Sequence, residues 1–321
     1  MAARPTRPSR HPKDGAPIPL RPFGSTGEHV SALGLGGHHI GKIANQRDAI
    51  RLVHEAIDSG VTFMDNAWEY HDGRSETIMG KALAGRRERV FLMTKVCTHG
   101  RGRIEAMRQL EQSLRRLKTD YLDLWQIHEC VYANDPARHF ARGGVADALE
   151  QAKREGKVRF VGFTGHKDPF IHLEMLSYEF PFDACQLPLN CFDHSFRSFE
   201  QQVLPELRQR RIAALGMKSL GSDARQVKEK VITAEEGLRY AMSLPVATTI
   251  SGIDSLRVLR QNVRIAAGFR PMSARQMAAL RRRVAEAGGD GRYELYKTTA
   301  THEGKVGRQQ HGFPSDEELS A

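Results

Sequence analysis

Eight short apolar runs alternate with eight stretches of helical periodicity between residues 30 and 265, and this alternation limits the chain more than any other feature. The runs cover 30–35, 61–65, 90–95, 121–128, 158–164, 184–189, 212–217 and 246–250. They are rich in Val, Ile, Leu and Phe, as strands covered on both faces are. The intervening stretches, 48–59, 75–84, 103–117, 144–155, 169–180, 199–210, 233–244 and 255–265, carry apolar residues three and four apart, as Ile50, Val53, Ala56 and Ile57 do. Strands separated by helices pair in parallel, and eight such units predict an α/β fold closed into a (β/α)8 TIM barrel. An open doubly wound sheet calls for Gly-x-Gly-x-x-Gly after its first strand, and residues 36–39 read Gly-Gly-His-His instead.

The ends of the chain differ from this pattern. Residues 1–20 are basic and proline-rich, with too little apolar area to order themselves, so a disordered lead is expected there. The turn-rich piece Phe23-Gly24-Ser25-Thr26-Gly27-Glu28 predicts an N-terminal β-hairpin over the closed end of the barrel. The barrel is expected over 21–270. Residues 271–321 read as one more helix, 273–286, then the breaker Gly288-Gly289-Asp290-Gly291 and a polar tail packing on the barrel. Ser75, with Glu76 one residue on, is expected to cap the helix that follows the second strand.

Composition narrows the function classes. The net charge of +10 is spread over every helix, without zinc-finger or aromatic-interleaved RNA-binding signatures, so a solvated surface is expected rather than a nucleic-acid face. No apolar run approaches the roughly 20 residues that cross a membrane, and the first residues lack the apolar core of a signal peptide. Cys97, Cys130, Cys185 and Cys191 have no Cys-x-x-Cys spacing and fit reduced thiols. A cytoplasmic protein with a small-molecule partner, no nucleic acid and no membrane is the expectation.

Three consecutive strands each deliver a titratable group where the apolar run stops. Asp65 ends Phe63-Met64 and leads through Asn66-Ala67-Trp68-Glu69 to Tyr70; Lys95 closes Val90 to Thr94; His128 closes Tyr121 to Ile127. Strand C-termini are where such barrels keep their chemistry. Carbonyl reduction needs an acid that protonates the oxygen as negative charge develops. Tyr70 is that candidate, since an ammonium such as Lys95 lowers a phenol pKa from its usual value of about 10. Asp65 holds the lysine charged and aimed, and His128 donates a hydrogen bond to the substrate oxygen. The imidazole tautomer is not readable from sequence.

In these residues the chain resembles an aldo-keto reductase over roughly 20–270. Gly156 to Phe163 is similar to that family's fifth strand, Gln186 and Asn190 to its sixth, and Gly252 with Asn262 to the cofactor segment after the eighth. The resemblance implies NADP, with NAD as the alternative, and reduction of an aldehyde or ketone. It implies carboxamide contacts at Thr164, Gly165, His166 and Gln186, with Gly165-His166 in place of the family's usual Ser-Asn. Met217 stands where many members stack an aromatic on the nicotinamide. Gly37, Lys218, Leu220, Ser251 and Gly252 fall along the implied dinucleotide path, with Lys218 beside the pyrophosphate. The basic residues that read a 2′-phosphate in the family are replaced by Gly252, Ser255 and Val258, with Arg257 and Arg260 close by.

Two other classes compete. Some proteins with this resemblance act as regulatory subunits, although all four candidate catalytic residues are retained here. His38, His39, His71, His99 and His166 invite a metal-hydrolase reading, against which Lys95 would repel a cation. No metal is expected.

Overall fold

The structure, a computed structural model, describes residues 16–97, 101–312, 314 and 318. Its first two strands, β1 (Leu20–Pro22) and β2 (His29–Ser31), pair antiparallel, with Leu20 opposite Ser31. Eight further strands follow: β3 (Leu33–Gly36), β4 (Phe63–Asp65), β5 (Phe91–Val96), β6 (Leu122–Ile127), β7 (Val158–Thr164), β8 (Ala184–Pro188), β9 (Ala213–Met217) and β10 (Thr248–Gly252). All pair in parallel and in sequence order, and β10 joins both β9 and β3, so the sheet closes. This is the expected (β/α)8 barrel with its N-terminal hairpin.

Side chains alternate across each strand, which divides the core in two. Phe63, Phe91, Met93, Leu124, Leu215 and Ile250 fill the lumen, and the hairpin residue Phe23 closes it from below, its ring 4.7 Å from Phe91 and 5.9 Å from Phe160. Full burial of that one side chain stabilises by about 2–3 kcal/mol. Arg159 ties the hairpin to the barrel through Glu28 and through Asp123, 2.7 Å away. The outer core lies between strands and helices, where Leu52, Val53, Leu110, Leu149 and Leu259 pack.

Several expectations change in detail. The run 30–35 splits, Val30 falling in the hairpin and Leu33–Gly36 in the barrel. The expected disordered lead is corrected at its end: Ile18 is buried and Pro19 accepts a hydrogen bond from Ala32. Residues 1–15 and His99 lie outside the described residues. Ser75 is not a cap. The helix Arg74–Ala82 starts after Gly73, whose φ is 82°, while the Ser75 hydroxyl donates to Gly37 at 2.7 Å. The helix expected over 199–210 is interrupted at Val203, just before Pro205, because proline clashes with the preceding turn. An extra helix, Asp135–His139, follows β6.

The C-terminal helix Ala274–Gly288 begins with a Ser273/Gln276 capping box. Beyond it the chain packs on the barrel through a buried trio, Lys297 reaching Asp193 at 2.7 Å and Glu294 at 2.9 Å. Tyr296 donates to Glu294 at 2.6 Å, and Asn190 donates to Tyr296 at 3.0 Å. Short helices Leu295–Thr298 and Lys305–Gln310 carry the chain over the C-terminal ends of the strands.

Candidate active site

Parallel register brings the polar strand ends together. Asp65 is the last residue of β4 and Lys95 lies near the end of neighbouring β5, opposite Gln126 of β6. Lys95 Nζ reaches Asp65 Oδ1 at 2.5 Å and the Asn66 carbonyl at 2.7 Å, and both charged side chains are almost wholly buried. The Tyr70 hydroxyl stands 3.4 Å from the same nitrogen. His128, directly after β6, sets its ring at 5.5 Å and 78° to the Tyr70 ring. The four candidate catalytic residues therefore meet at one corner of the barrel mouth.

The loop that presents Tyr70 is held from outside the site. Trp68 donates from its backbone to Lys95 at 3.1 Å and from its indole to Gln112 at 2.7 Å, while Arg116 donates to the Trp68 carbonyl at 2.9 Å. His71 and Asp72 adopt φ of 53° and 54°, and Gly73 completes the left-handed run. The Arg116 guanidinium lies against Gly73, where a Cβ would stand 2.3 Å from its carbon, so a side chain there would displace the arginine.

Electrostatics correct one expectation. Burial first, then Asp65, Glu129 and Glu69, raise the Tyr70 pKa well above its ordinary value. Lys95 is paired with Asp65 at 2.5 Å and does not offset the burial and the acids around the phenol. The hydroxyl thus keeps its proton in this state and is a donor in place.

Sequence reasoning missed two acids here. Glu69 Oε1 lies 2.6 Å from His128 Nδ1, and the Cys97 thiol donates to Glu69 Oε2 at 2.7 Å. Glu129 faces Glu69, and burial with that like charge pushes it up to about 8. The adjacency of Glu69 to Tyr70 and of Glu129 to His128 was the available signal. Ligand atoms of Glu69, His128 and Glu129 lie within 4.8 Å of one another. Glu129 is meanwhile engaged by the tail, accepting from the Gly304 backbone at 2.7 Å. The same tail fixes Glu303 against Tyr132 at 3.0 Å and Lys167 at 2.6 Å. Those contacts span more than a hundred residues and carry no local signature.

The implied cofactor positions divide. Thr164 and Gln186 face each other across β7 and β8. Gln186 Oε1 and His166 Nε2 are buried without a hydrogen-bond partner, and Gln186 Nε2 has only a weak contact with Met217 Sδ at 3.6 Å. Gly165 is a packing position, where a Cβ would lie 2.2 Å from the Cys130 carbonyl. Gly37 is packed likewise against the Asp65 carbonyl. Lys218 has φ of 55° and sets its ammonium 5.1 Å from the Tyr296 ring centre; burial lowers its pKa to about 8. Leu220 turns to the helix Ala234–Ser243, where a Cβ on Gly237 would meet it at 2.5 Å.

At the far end, Asn262 donates to Ser251 at 3.0 Å, both buried. Gly252 is exposed beneath the His39 ring. Arg257 is exposed on the helix Leu256–Ala267. Arg260 is engaged by Glu55 at 2.6 and 3.1 Å.

The closed parallel barrel thus gathers an acid, a lysine, a phenol and an imidazole at the C-terminal mouth of its strands. The profile of the Aldo/keto reductase family matches residues 32–232, and the chain belongs to that family. It is 30% identical over 204 residues to the aldo-keto reductase YhdN of Bacillus subtilis, covering 59% of this chain and 58% of that protein. It is 37% identical over 131 residues to the methylglyoxal reductase YeaE of Escherichia coli, covering 40% and 44%. The chain thus spans about half the length of these curated relatives. The fold is shared with an aldo-keto reductase from Klebsiella pneumoniae solved with NADPH, at a TM-score of 0.68 and 24% identity over 83% of this chain and 95% of that one.

Proposed function

We propose that this protein is an NADPH-dependent reductase of aldehyde or ketone carbonyls, with Tyr70 as the proton donor. The observation that carries the reading is the corner itself, with Lys95 Nζ 2.5 Å from Asp65 and 3.4 Å from the Tyr70 hydroxyl. The bound dinucleotide supplies the hydride, which no side chain can. Orphaned buried polar atoms fit its carboxamide: Gln186 Oε1 is an acceptor for an amide N–H, and His166 offers a second partner. The raised pKa of Tyr70 keeps a proton available, and Lys95 steadies the phenolate that forms when it leaves. His128 orients the substrate oxygen. The basic residues past β9 and β10, Lys218 and Arg257, serve the phosphates, and of the two arginines Arg257 is the better candidate for the 2′-phosphate, because Glu55 already occupies Arg260. Family membership and the NADPH held by the Klebsiella protein favour NADP over NAD. Four buried cysteines, none in a disulfide, fit a reducing, cytoplasmic setting.

Loss of NADPH absorbance against a panel of aldehydes and ketones, run with and without chelator, tests the reading. Consumption that is indifferent to chelator is expected. Activity that needs a metal and ignores NADPH would replace the reading with the hydrolase.

A further inference from the structure

The two acids beside the catalytic corner have no part in carbonyl reduction, yet with His128 they form a compact set of ligand atoms. One ring nitrogen of His128 and one carboxylate oxygen from each of Glu69 and Glu129 all lie within 4.8 Å of one another. The imidazole is the telling member. His128 is only 6% exposed, and its Nδ1 makes no hydrogen bond although Glu69 Oε1 stands 2.6 Å away. Buried polar atoms ordinarily have partners, and a cation here would serve the nitrogen while offsetting the crowding of the two carboxylates. The surroundings hold these acids in place. The Cys97 thiol donates to Glu69 Oε2 at 2.7 Å and the Gly304 backbone donates to Glu129 Oε2 at 2.7 Å, so each carboxylate is oriented through one oxygen. Lys95 is paired with Asp65 at 2.5 Å, and Lys218, whose charge also reaches Glu129, offsets only one of the two further acids. The pocket therefore stays negative despite its lysines. None of His38, His39, His71 and His166, the described histidines that the sequence suggested as ligands, belongs to the set.

We propose that Glu69, His128 and Glu129 form a site for one divalent metal ion of the Zn2+ class, and that filling it arrests the reductase. One imidazole and two carboxylates suit Zn2+, whereas Mg2+ and Ca2+ take oxygen ligands in larger number. Bonds of roughly 2.0–2.2 Å in a tetrahedron set ligand atoms about 3.3 Å apart, so Glu69 and His128 need to part by only about 0.7 Å. The Glu69 side chain is 17% exposed and gives the ion its way in. Binding stands on these residues alone, while the arrest rests on the reductase reading. An ion on the imidazole holds the ring toward the acids and away from the substrate oxygen. Tyr70 follows Glu69 in the chain and packs its ring edge-on to His128 at 5.5 Å. A dication that close stabilises the phenolate, so the phenol gives up its proton before a carbonyl can take it.

The test is calorimetric titration of Zn2+ into the full chain, freed of metal by dialysis against chelator, in wild type, Glu69→Gln and Glu129→Gln. Wild type is expected to bind one ion per chain, and Mg2+ is expected not to bind. Glutamine brings no negative charge to a metal, so each variant is expected to lose at least about tenfold in Zn2+ affinity, the least that even an outer-shell contact costs. Thermal melts without metal show which variants are folded, and Zn2+ is expected to raise the melting temperature of wild type above that of either variant. Either folded variant alone carries the test. No stoichiometric binding by wild type, or wild-type affinity in a folded variant, would overturn the site. With NADPH and an aldehyde, saturating Zn2+ is expected to cut the wild-type rate at least about tenfold, the scale on which a positioned proton donor matters, with recovery on adding chelator. A rate unmoved by the bound ion would overturn the arrest. Zn2+ held by a protein that reduces no carbonyl would remove the reductase reading and leave the site standing.

Discussion

The corner that holds Tyr70 and the far end that faces the helix Leu256–Ala267 are built on opposite plans. At the corner the polar groups are engaged before any ligand arrives: Asp65 meets Lys95, Glu69 meets His128, and Glu129 meets the tail. At the far end Arg257 is exposed, and Arg260 spends its guanidinium on a neighbouring helix. A reaction centre must be in place before substrate arrives, because preorganised groups need no rearrangement during the reaction. A phosphate site can be assembled by long side chains as the ligand binds. Changes at the corner should therefore alter rate and stability together, and changes at the far end should alter affinity alone.

Lys95→Met presses hardest on that contrast. It leaves the Asp65 carboxylate buried beside the phenol, uncompensated, which costs about 3–5 kcal/mol of stability. Turnover should fall by at least about a hundredfold, the scale of a positioned proton-transfer group. Thermal melts and steady-state rates on the same preparation check both. A variant that loses rate but keeps its melting temperature would break the claim that the corner is engaged in advance.

Arg257→Ala comes next. Removing a charge-assisted contact worth about 1.5–3 kcal/mol should weaken NADP by roughly ten- to a hundredfold and leave NAD nearly untouched. Arg260→Ala should do less, since Glu55 already holds its guanidinium. Dissociation constants for both dinucleotides in both variants sharpen the comparison. Equal losses would move the phosphate site toward Arg260.

Glu129→Gln has the smallest expected effect, and its sign depends on pH. The folded protein holds that proton up to about 8, whereas the unfolded chain releases it near the ordinary value of 4.5. Between those values the native state binds more protons, so wild-type stability falls as pH rises. The amide carries no such penalty and still accepts from Gly304. The variant should melt above wild type near pH 8 and converge with it near pH 4.5. A difference independent of pH would contradict the crowded-acid account.

The same contrast explains what was legible in the sequence. Asp65, Lys95 and His128 could be found because apolar runs mark strand ends, and closure of the barrel then fixes their neighbours. The hairpin was legible from its turn-rich piece, whereas the seat of Phe23 in the lumen came only with closure of the barrel. The pairing of Arg260 with Glu55 was not, since it joins helices 205 residues apart in sequence. The partners of the tail were not legible for want of periodicity: Tyr296 and Lys297 are buried against Asn190 and Asp193, which no local pattern announces. Ser75 failed as a cap because the left-handed turn before it, demanded by the Tyr70 loop, supplied the helix start instead. The direction of the Tyr70 shift was missed because burial outweighs a lysine already paired with its aspartate.

Tyr70→Phe removes one hydroxyl from the corner and nothing else, so NADPH affinity and carbonyl turnover measured in that variant test the central claim most directly. Binding within about twofold of wild type, with turnover reduced by at least about a hundredfold, is the result expected of a lost proton donor. Turnover equal to wild type would contradict the assignment of the strand-end corner as the catalytic site.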